Sequence, residues 1–331
     1  DFDSLLTIAP DEIKRMVEQF VVSNKNKGLT KSSINNKICT IKLFFSMNDI
    51  EISLFKAKKM LPDSKKKGGG KPYSREQMQQ VQKCLNTTAS KPYKVAVMIT
   101  VSSGARKGFT EYLKVKHIGE FEKNGCKSIL IYGGEKEEYH SFITPETVKL
   151  IDQWLEYRKS KGELITDNSW IVPMSSDHTR PMHDANLSIR LIKLLKNVDR
   201  GELIGSHYEV AISHGFRKFW NTIAKNTPNT NSNNLEKMFG HSTSHVQDNT
   251  YHVPELDDLF KEYEKFSDGL AISEEAIMEI ELRNKDKMIE ATHAEKDDRI
   301  AKLEAKLERI NWDLYYNGDF QEPSQDDIIK D

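Results

Sequence analysis

Apolar residues recur at helical spacing through the first part of the chain, merge into one unbroken run near residue 98, and thin out along a charged C-terminal stretch. Ala9-Pro10-Asp11-Glu12 reads as a helix start, followed by Ile13, Met16, Val17 and Phe20 on one face. Gly28 ends that helix and Thr30 caps a second, through Ile34, Ile38, Ile41, Leu43 and Phe45. Leu54-Phe55 opens a third. Residues 61–72 (LPDSKKKGGGKP) carry no apolar pattern and many breakers, as a basic flexible linker should.

Ser74 stands as the N-cap of a helix carrying Met78, Val81 and Leu85. The run Val95–Val101 predicts a buried helix that closes at Ser102-Ser103-Gly104. Two β-branched stretches, Ser128–Tyr132 and Tyr139–Thr144, flank the turn Gly133–Glu138. Pro145 then starts a helix holding Leu150, Ile151, Trp154 and Leu155. Helical patterning prevails to about Phe266, broken by the polar loop Asn226–Asn234. From Ser273 to Ile310 the pattern is one long charged helix with a partial heptad seam, Leu282, Ile289, Ile300, Leu303, Leu307 and Ile310, interrupted at His293 and Lys296. The stretch from Trp312 onward reads as a disordered tail.

At roughly 150 residues per domain, 331 residues suggest two. No window approaches the roughly 18 apolar residues of a membrane span. Asp1-Phe2-Asp3 shows neither a signal sequence nor an initiating Met, as in a trimmed fragment. Three widely spaced cysteines, Cys39, Cys84 and Cys126, exclude a disulfide scaffold and a zinc ribbon, and point to a reducing, intracellular setting. The net charge of −1 hides an asymmetry: residues 1–72 hold 14 Lys/Arg against 8 Asp/Glu, and residues 268–331 hold 9 against 18. A basic front end suits a polyanion, and equally a solvated lysine-rich surface.

Five segments between Gly104 and Tyr251 carry the candidate chemistry. They are Gly104-Ala105-Arg106 after the buried helix, Lys136 in the hairpin turn, Ser213-His214-Gly215-Phe216-Arg217-Lys218-Phe219, Phe239-Gly240-His241-Ser242, and Tyr251. Each has an ordinary structural reading when taken alone. Lys136 suits a solvated turn among glutamates, His214 and Arg217 could flank buried Phe216 and Phe219, and Gly240-His241 could be a helix stop. Tyr263 is a rival to Tyr251. Order and spacing together argue otherwise. The set resembles the tyrosine recombinase (phage integrase) family, whose pattern is Arg, a hairpin Lys, His-x-x-Arg, Gly-His, then Tyr. Residues 248–254 (DNTYHVP), Glu262-Tyr263 and the long terminal helix are similar to the archaeal and archaeal-virus branch.

The resemblance covers roughly residues 9–266 and implies a mainly α fold with a small β-hairpin or sheet. A helical core-binding domain (1–64) and a basic linker (65–72) would precede a catalytic domain (73–267), a charged helix or coiled coil (268–311) and a disordered tail (312–331). It implies a site-specific recombinase or integrase of a mobile element, with Arg106 and Arg217 gripping phosphate oxygens. Lys136 would protonate the leaving sugar oxygen, His214 would take the proton of nucleophilic Tyr251, and His241 would orient the phosphate. The intermediate would be a 3′-phosphotyrosyl bond, formed without metal, nucleotide or other cofactor. Its partners would be double-stranded DNA sites, three further copies in a tetramer, and a DNA-bending accessory factor, at the nucleoid of a prokaryotic or virus-infected cell. Lys65, Lys66, Lys67 and Lys71, with Lys107, Lys114 and Lys218, are the candidates for phosphate-backbone contact. Two rivals stand beside this reading: a type IB topoisomerase activity and a catalytically silent DNA-binding scaffold. The chain departs from the family pattern at Phe109 and His117, where acidic residues are usual, and in one extra residue between His241 and Tyr251.

Overall fold

In the computed structural model, residues 2–63, 70–87, 91–204, 207–241 and 254–316 are described. Lys65–Lys67, Tyr251 with its neighbours 248–253, and the tail from 317 lie outside them. The chain divides into two units, residues 1–70 with the short stretch 202–209, and residues 71–201 with 210–331.

The first unit holds α1 (Phe2–Leu6), α2 (Pro10–Asn26), α3 (Lys31–Ser46) and α4 (Phe55–Lys59). Pro10 occupies the first turn of α2, where its missing N–H costs nothing. Thr30 Oγ1 accepts from the Ser33 amide at 3.3 Å to begin α3. Ile13, Val17 and Val21 of α2 close on Ile34, Ile38 and Phe45 of α3, with Ile52, Leu54 and Ala57 completing the core. Met16 and Leu43, expected on the inner faces, are 45% and 60% exposed. The buried stripe of α2 runs 13, 17, 21, which leaves residue 16 at its edge, and Leu43 falls between Ile38 and Phe45 on the outer side of α3. The antiparallel pair Leu203–Ile204 and His207–Tyr208 groups with this unit.

The second unit is organised around one helix. After α5 (Arg75–Cys84), which starts with the expected Ser74 cap in a reciprocal capping box with Gln77, comes α6 (Lys91–Ser103). From Val95 to Ser103 all nine residues of α6 are buried. A three-stranded antiparallel sheet, β1 (Ile118–Lys123), β2 (Cys126–Ile131) and β3 (Tyr139–Ile143), packs on it in the order β1-β2-β3. Then follow α7 (Pro145–Ser160), the small pair β4 (Pro173–Met174) and β5 (Asp177–Pro181), α8 (Asp184–Leu194), α9 (His214–Asn226), α10 (Ser232–Met238), α11 (Leu256–Ser267) and α12 (Glu274–Tyr316). The patterning makes residues 145–266 mostly helical, apart from the loop Asn226–Asn234. β4 has only two residues, and β5 buries no alternate positions, so neither shows a strand pattern.

The last carbonyls of a helix have no partner within it, and at the buried end of α6 water cannot supply one. Side chains from three other elements do. Ser102 O accepts from Trp220 Nε1 of α9 at 3.0 Å and from the Tyr263 hydroxyl of α11 at 2.8 Å. Ser103 O accepts from Ser141 Oγ of β3 at 2.8 Å, and Gly104 O accepts from the Arg217 guanidinium of α9. The stripe on α11 also packs within its own chain. Phe260, Tyr263 and Phe266 are buried, and Phe260 and Tyr263 both lie 5.3 Å from the Phe142 ring.

α12 leaves this core quickly. The Glu146 carboxylate accepts from the amides of Ile272 and Ser273 at its start, and Arg283 pairs with Asp268 at 2.5 Å. Beyond Ile280 every residue with a described side chain is exposed, and the helix continues to Tyr316, past the tail boundary expected at 312. Leu282, Ile289, Ile300, Leu303, Leu307 and Ile310 are each 52–60% exposed.

Candidate active site

The end of α6 also aims the first candidate arginine. Gly104 takes φ +69°, and a Cβ there would stand 3.0 Å from both the Phe239 and Trp220 rings, so only glycine makes this turn without strain. Ala105 is buried and Arg106 emerges in extended backbone, its Nη2 donating to Gly240 O at 2.7 Å. Gly240 is the left-handed residue that ends α10, with φ +63°, and a side chain there would run into the Tyr139 ring.

Arg217 joins the two turns. Its guanidinium donates to Gly104 O and to Phe239 O, lies 3.5 Å over the Phe239 ring, and is 2% exposed. Burial, and then the charge of Arg106, lower its pKa, while Tyr139 opposes the shift. The sequence reading had Arg217 forking a phosphate. In the structure two of its donors hold backbone carbonyls.

His241 follows directly. Its amide donates to Glu236 O at 3.0 Å, and its Nδ1 lies 2.6 Å from Glu236 Oε2. The carboxylate accepts from Nδ1–H, which leaves Nε2 as the ring nitrogen that can meet a ligand. Burial alone would raise the Glu236 pKa, but hydrogen bonds from Lys225, at 2.6 Å, and from His241 bring it below the usual value.

Arg106, Lys136, Tyr139, Lys237, Gly240 and His241 line one cavity of 760 Å³, together with Glu137, Glu138 and His140. Lys136 is exposed at the tip of the β2–β3 turn, where Glu138 accepts from the Gly134 amide at 2.6 Å and so fastens the turn to itself. His117 supports the same turn from below. It is 9% exposed, its Nδ1 accepts from the Lys114 amide at 3.2 Å, and a Cβ on Gly133 would meet its Nε2 at 2.9 Å. Burial first, then Lys116 and Lys114, hold its pKa below the usual value, so the ring is a neutral packing element where the family pattern has an acid. Phe109 is fully buried, in surroundings that would penalise a charge.

His214 is the first residue of α9, exposed, and not among the residues lining the cavity. Partial burial, then Lys218 and Arg217, lower its pKa, which leaves it neutral and able to accept a proton near neutral pH. Tyr251 lies outside the described residues. Tyr263 is fully buried, donates to Ser102 O, and has its pKa raised well above the ordinary value by burial, as a core residue rather than a nucleophile.

Of the candidate backbone contacts, Lys107 is held by Asp184 at 3.1 Å, Lys114 lies 4.6 Å over the Trp170 ring, Lys71 bridges to Val210, and Lys218 sits on α9. None of these four lines the cavity. Lys237 does, and the sequence reading missed it, as it missed Tyr139 and Glu236; nothing in their local sequence sets them apart. Among the described residues no group of three or more His, Cys, Asp or Glu is placed to hold a metal ion, and no helix is long and apolar enough to cross a membrane.

No protein-family model matches this sequence, and no curated protein does. Solved structures do. The Tn1549 transposon integrase (residues 82–397), in complex with circular intermediate DNA, aligns over 78% of this chain and 87% of its own, with TM-score 0.55 and 16% identity. The XerH site-specific recombinase bound to difH, in a pre-cleavage complex, aligns over 72% and 68% with TM-score 0.53 and 15% identity. The XerH post-cleavage complex aligns over 78% and 70% with TM-score 0.52 and 18% identity. At such identities the likeness is one of fold. The chain has the tyrosine-recombinase fold, mainly α with small sheets and a long C-terminal helix.

The link that Arg217 makes between the Gly104 and Phe239-Gly240 turns should show in stability. Arg217→Ala strands two buried carbonyls and should cost about 2–5 kcal/mol in urea unfolding. Gly240→Ala should cost about 2 kcal/mol or more, combining a left-handed backbone with the Tyr139 contact. Gly162→Ala, also at positive φ but with open space around it, should cost only about 1 kcal/mol. Equal losses in the two glycine variants would show that the ring contact does not constrain the turn.

Proposed function

We propose that this chain is a tyrosine-type site-specific DNA recombinase or integrase of a mobile element, akin to the archaeal and archaeal-virus branch. The observation that carries the reading is the shared cavity: Arg106, Lys136 and His241, far apart in sequence, line it together, and Arg217 holds the two turns that present Arg106 and Gly240-His241.

A DNA phosphodiester brings an anion to this cavity. Arg106 has spent one N–H on Gly240 O and directs its remaining donors at a non-bridging oxygen, while His241, its Nδ1–H held by Glu236, carries a second proton on Nε2 and donates it to another. Tyr251 Oη attacks phosphorus and passes its proton to His214. The bond from phosphorus to the 5′ oxygen breaks, and Lys136 on the hairpin protonates that oxygen. The products are a 3′-phosphotyrosyl link and a free 5′-hydroxyl, and a 5′-hydroxyl from a second strand reverses the step. The energy of the broken bond is kept in the link, so the mechanism calls for neither metal nor nucleotide. Arg217 acts chiefly by position, with its buried charge adding to the positive potential.

Exchange between two duplexes requires four cleavages and therefore a tetramer, and α12 offers a surface for association. With Leu303 and Ile310 at d and Ile300 and Leu307 at a, positions e carry Glu290, Asp297 and Glu304, and positions g carry Lys285, Arg299 and Lys306. Parallel pairing of two copies sets Arg299 against Glu304 and Lys285 against Glu290. Antiparallel pairing would set like charges together, so the second copy runs parallel.

Incubation with a nicked suicide substrate bearing the element's own junction should give a denaturation-resistant adduct in the parent and in Tyr263→Phe provided that variant folds, none in Tyr251→Phe, and about 10²–10³-fold slower formation in Arg106→Ala. A protein that binds the junction and forms no adduct would be a scaffold. Adduct formation should slow as pH falls through the His214 pKa, below the ordinary 6.5, because the proton acceptor is then occupied. His214→Gln should be slow throughout and lack that limb. Arg299→Glu should weaken self-association measured by sedimentation, and adding Glu304→Lys should restore it. An unchanged distribution would remove α12 from the assembly.

A further inference from the structure

Tyr139 opens β3 on the wall of the cavity, and the function proposed above leaves it without a task. Its side chain is only 9% exposed, and among the described residues its hydroxyl is the buried side-chain polar atom without a hydrogen-bond partner. Buried hydroxyls are normally paired, since burial strips them of water. The Tyr139 ring is fixed against the Cα of Gly240, so the hydroxyl cannot swing out to solvent without disturbing the turn that carries His241.

The groups acting on this hydroxyl are Arg217, by its charge and as a donor turned toward the phenolic oxygen outside good hydrogen-bond geometry, and Arg106, by its charge and its backbone N–H. Guanidiniums only donate, so neither can accept the phenolic proton. Burial holds the phenol above its ordinary pKa, against the pull of the two arginines, and keeps that proton in place. What is missing is an acceptor, and a cavity that also presents Arg106, Lys136 and Lys237 favours an anionic one.

We propose that Tyr139 Oη donates a hydrogen bond to a non-bridging oxygen of the phosphate bound in this cavity, making it a phosphate-binding residue beside Arg106 and His241. The assignment rests on the reading of the cavity as a DNA phosphate site. An oxygen there accepts from the phenol and the Arg106 guanidinium at once. The phenolic proton thus finds an acceptor only in the occupied site, which favours the bound state over the empty one.

The test is Tyr139→Phe, which keeps the ring against Gly240 and removes one oxygen. With inorganic phosphate as probe, read as the rise in Tm with phosphate over matched chloride, the variant should bind about tenfold more weakly. Its Tm without phosphate should equal or exceed the parent's, because an unpaired hydroxyl is gone. A fall of several degrees in that Tm would mean that the hydroxyl is a structural donor, and unchanged phosphate binding would mean that it does not reach the anion; either overturns the proposal. The recombinase reading fails separately: a parent that binds phosphate with the Tyr139 dependence but forms no DNA adduct keeps this assignment and loses the function. Adducts formed at the parental rate by Tyr139→Phe would do the reverse.

Discussion

The buried C-terminus of α6 is the constraint from which the second unit follows. Ser102, Ser103 and Gly104 turn carbonyls into the core where no water reaches, and each must find a donor from elsewhere in the chain. The donors are Ser141, Arg217, Trp220 and Tyr263, brought by β3, α9 and α11. Strand, helices and central helix are therefore fixed to one another at a single place, and the chain leaves that place as Ala105-Arg106.

The site inherits its geometry from this knot. Arg217 spans Gly104 and Phe239, so the exit of α6 and the end of α10 cannot move independently. Gly240, held by Arg106 on one side and by the Tyr139 ring on the other, then presents His241, whose imidazole is turned by Glu236. Donors set in advance around a cavity need little reorganisation when an anion arrives, which is where most electrostatic catalysis resides. Lys136 belongs to a different regime. It is exposed on a hairpin tip, and the proposed proton transfer would use that exposure to let it follow the leaving oxygen.

Much of this was legible in the sequence where the physics is local. Pro10 and Pro145 at helix starts, Ser74 and Thr30 as caps, the hairpin around Lys136 and the apolar run of α6 each act within a few residues, and each stands where the pattern put it. Distance defeated the rest. The i, i+3 spacing of His214 and Arg217 suggests a shared face, but whether that face looks into a cavity or into the core depends on residues 104 and 239, which no spacing reveals. Tyr139 reads as an ordinary strand residue until Gly240 is found against its ring. Leu43 and Met16 show the converse, apolar residues that a helical count places near a core and the neighbouring helix leaves in solvent.

The account joins a preorganised anion cavity to a covalent strand exchange, and the chemical identity of the link between protein and DNA tests that union most directly. Adduct trapped on the junction substrate should be digested with protease and nuclease and its nucleotide-bearing peptide sequenced by mass spectrometry. The account predicts one modified peptide, carrying a 3′-phosphonucleotide on Tyr251, and a free 5′-hydroxyl on the released strand. A link through the 5′ phosphate, or one to any other residue, would contradict it.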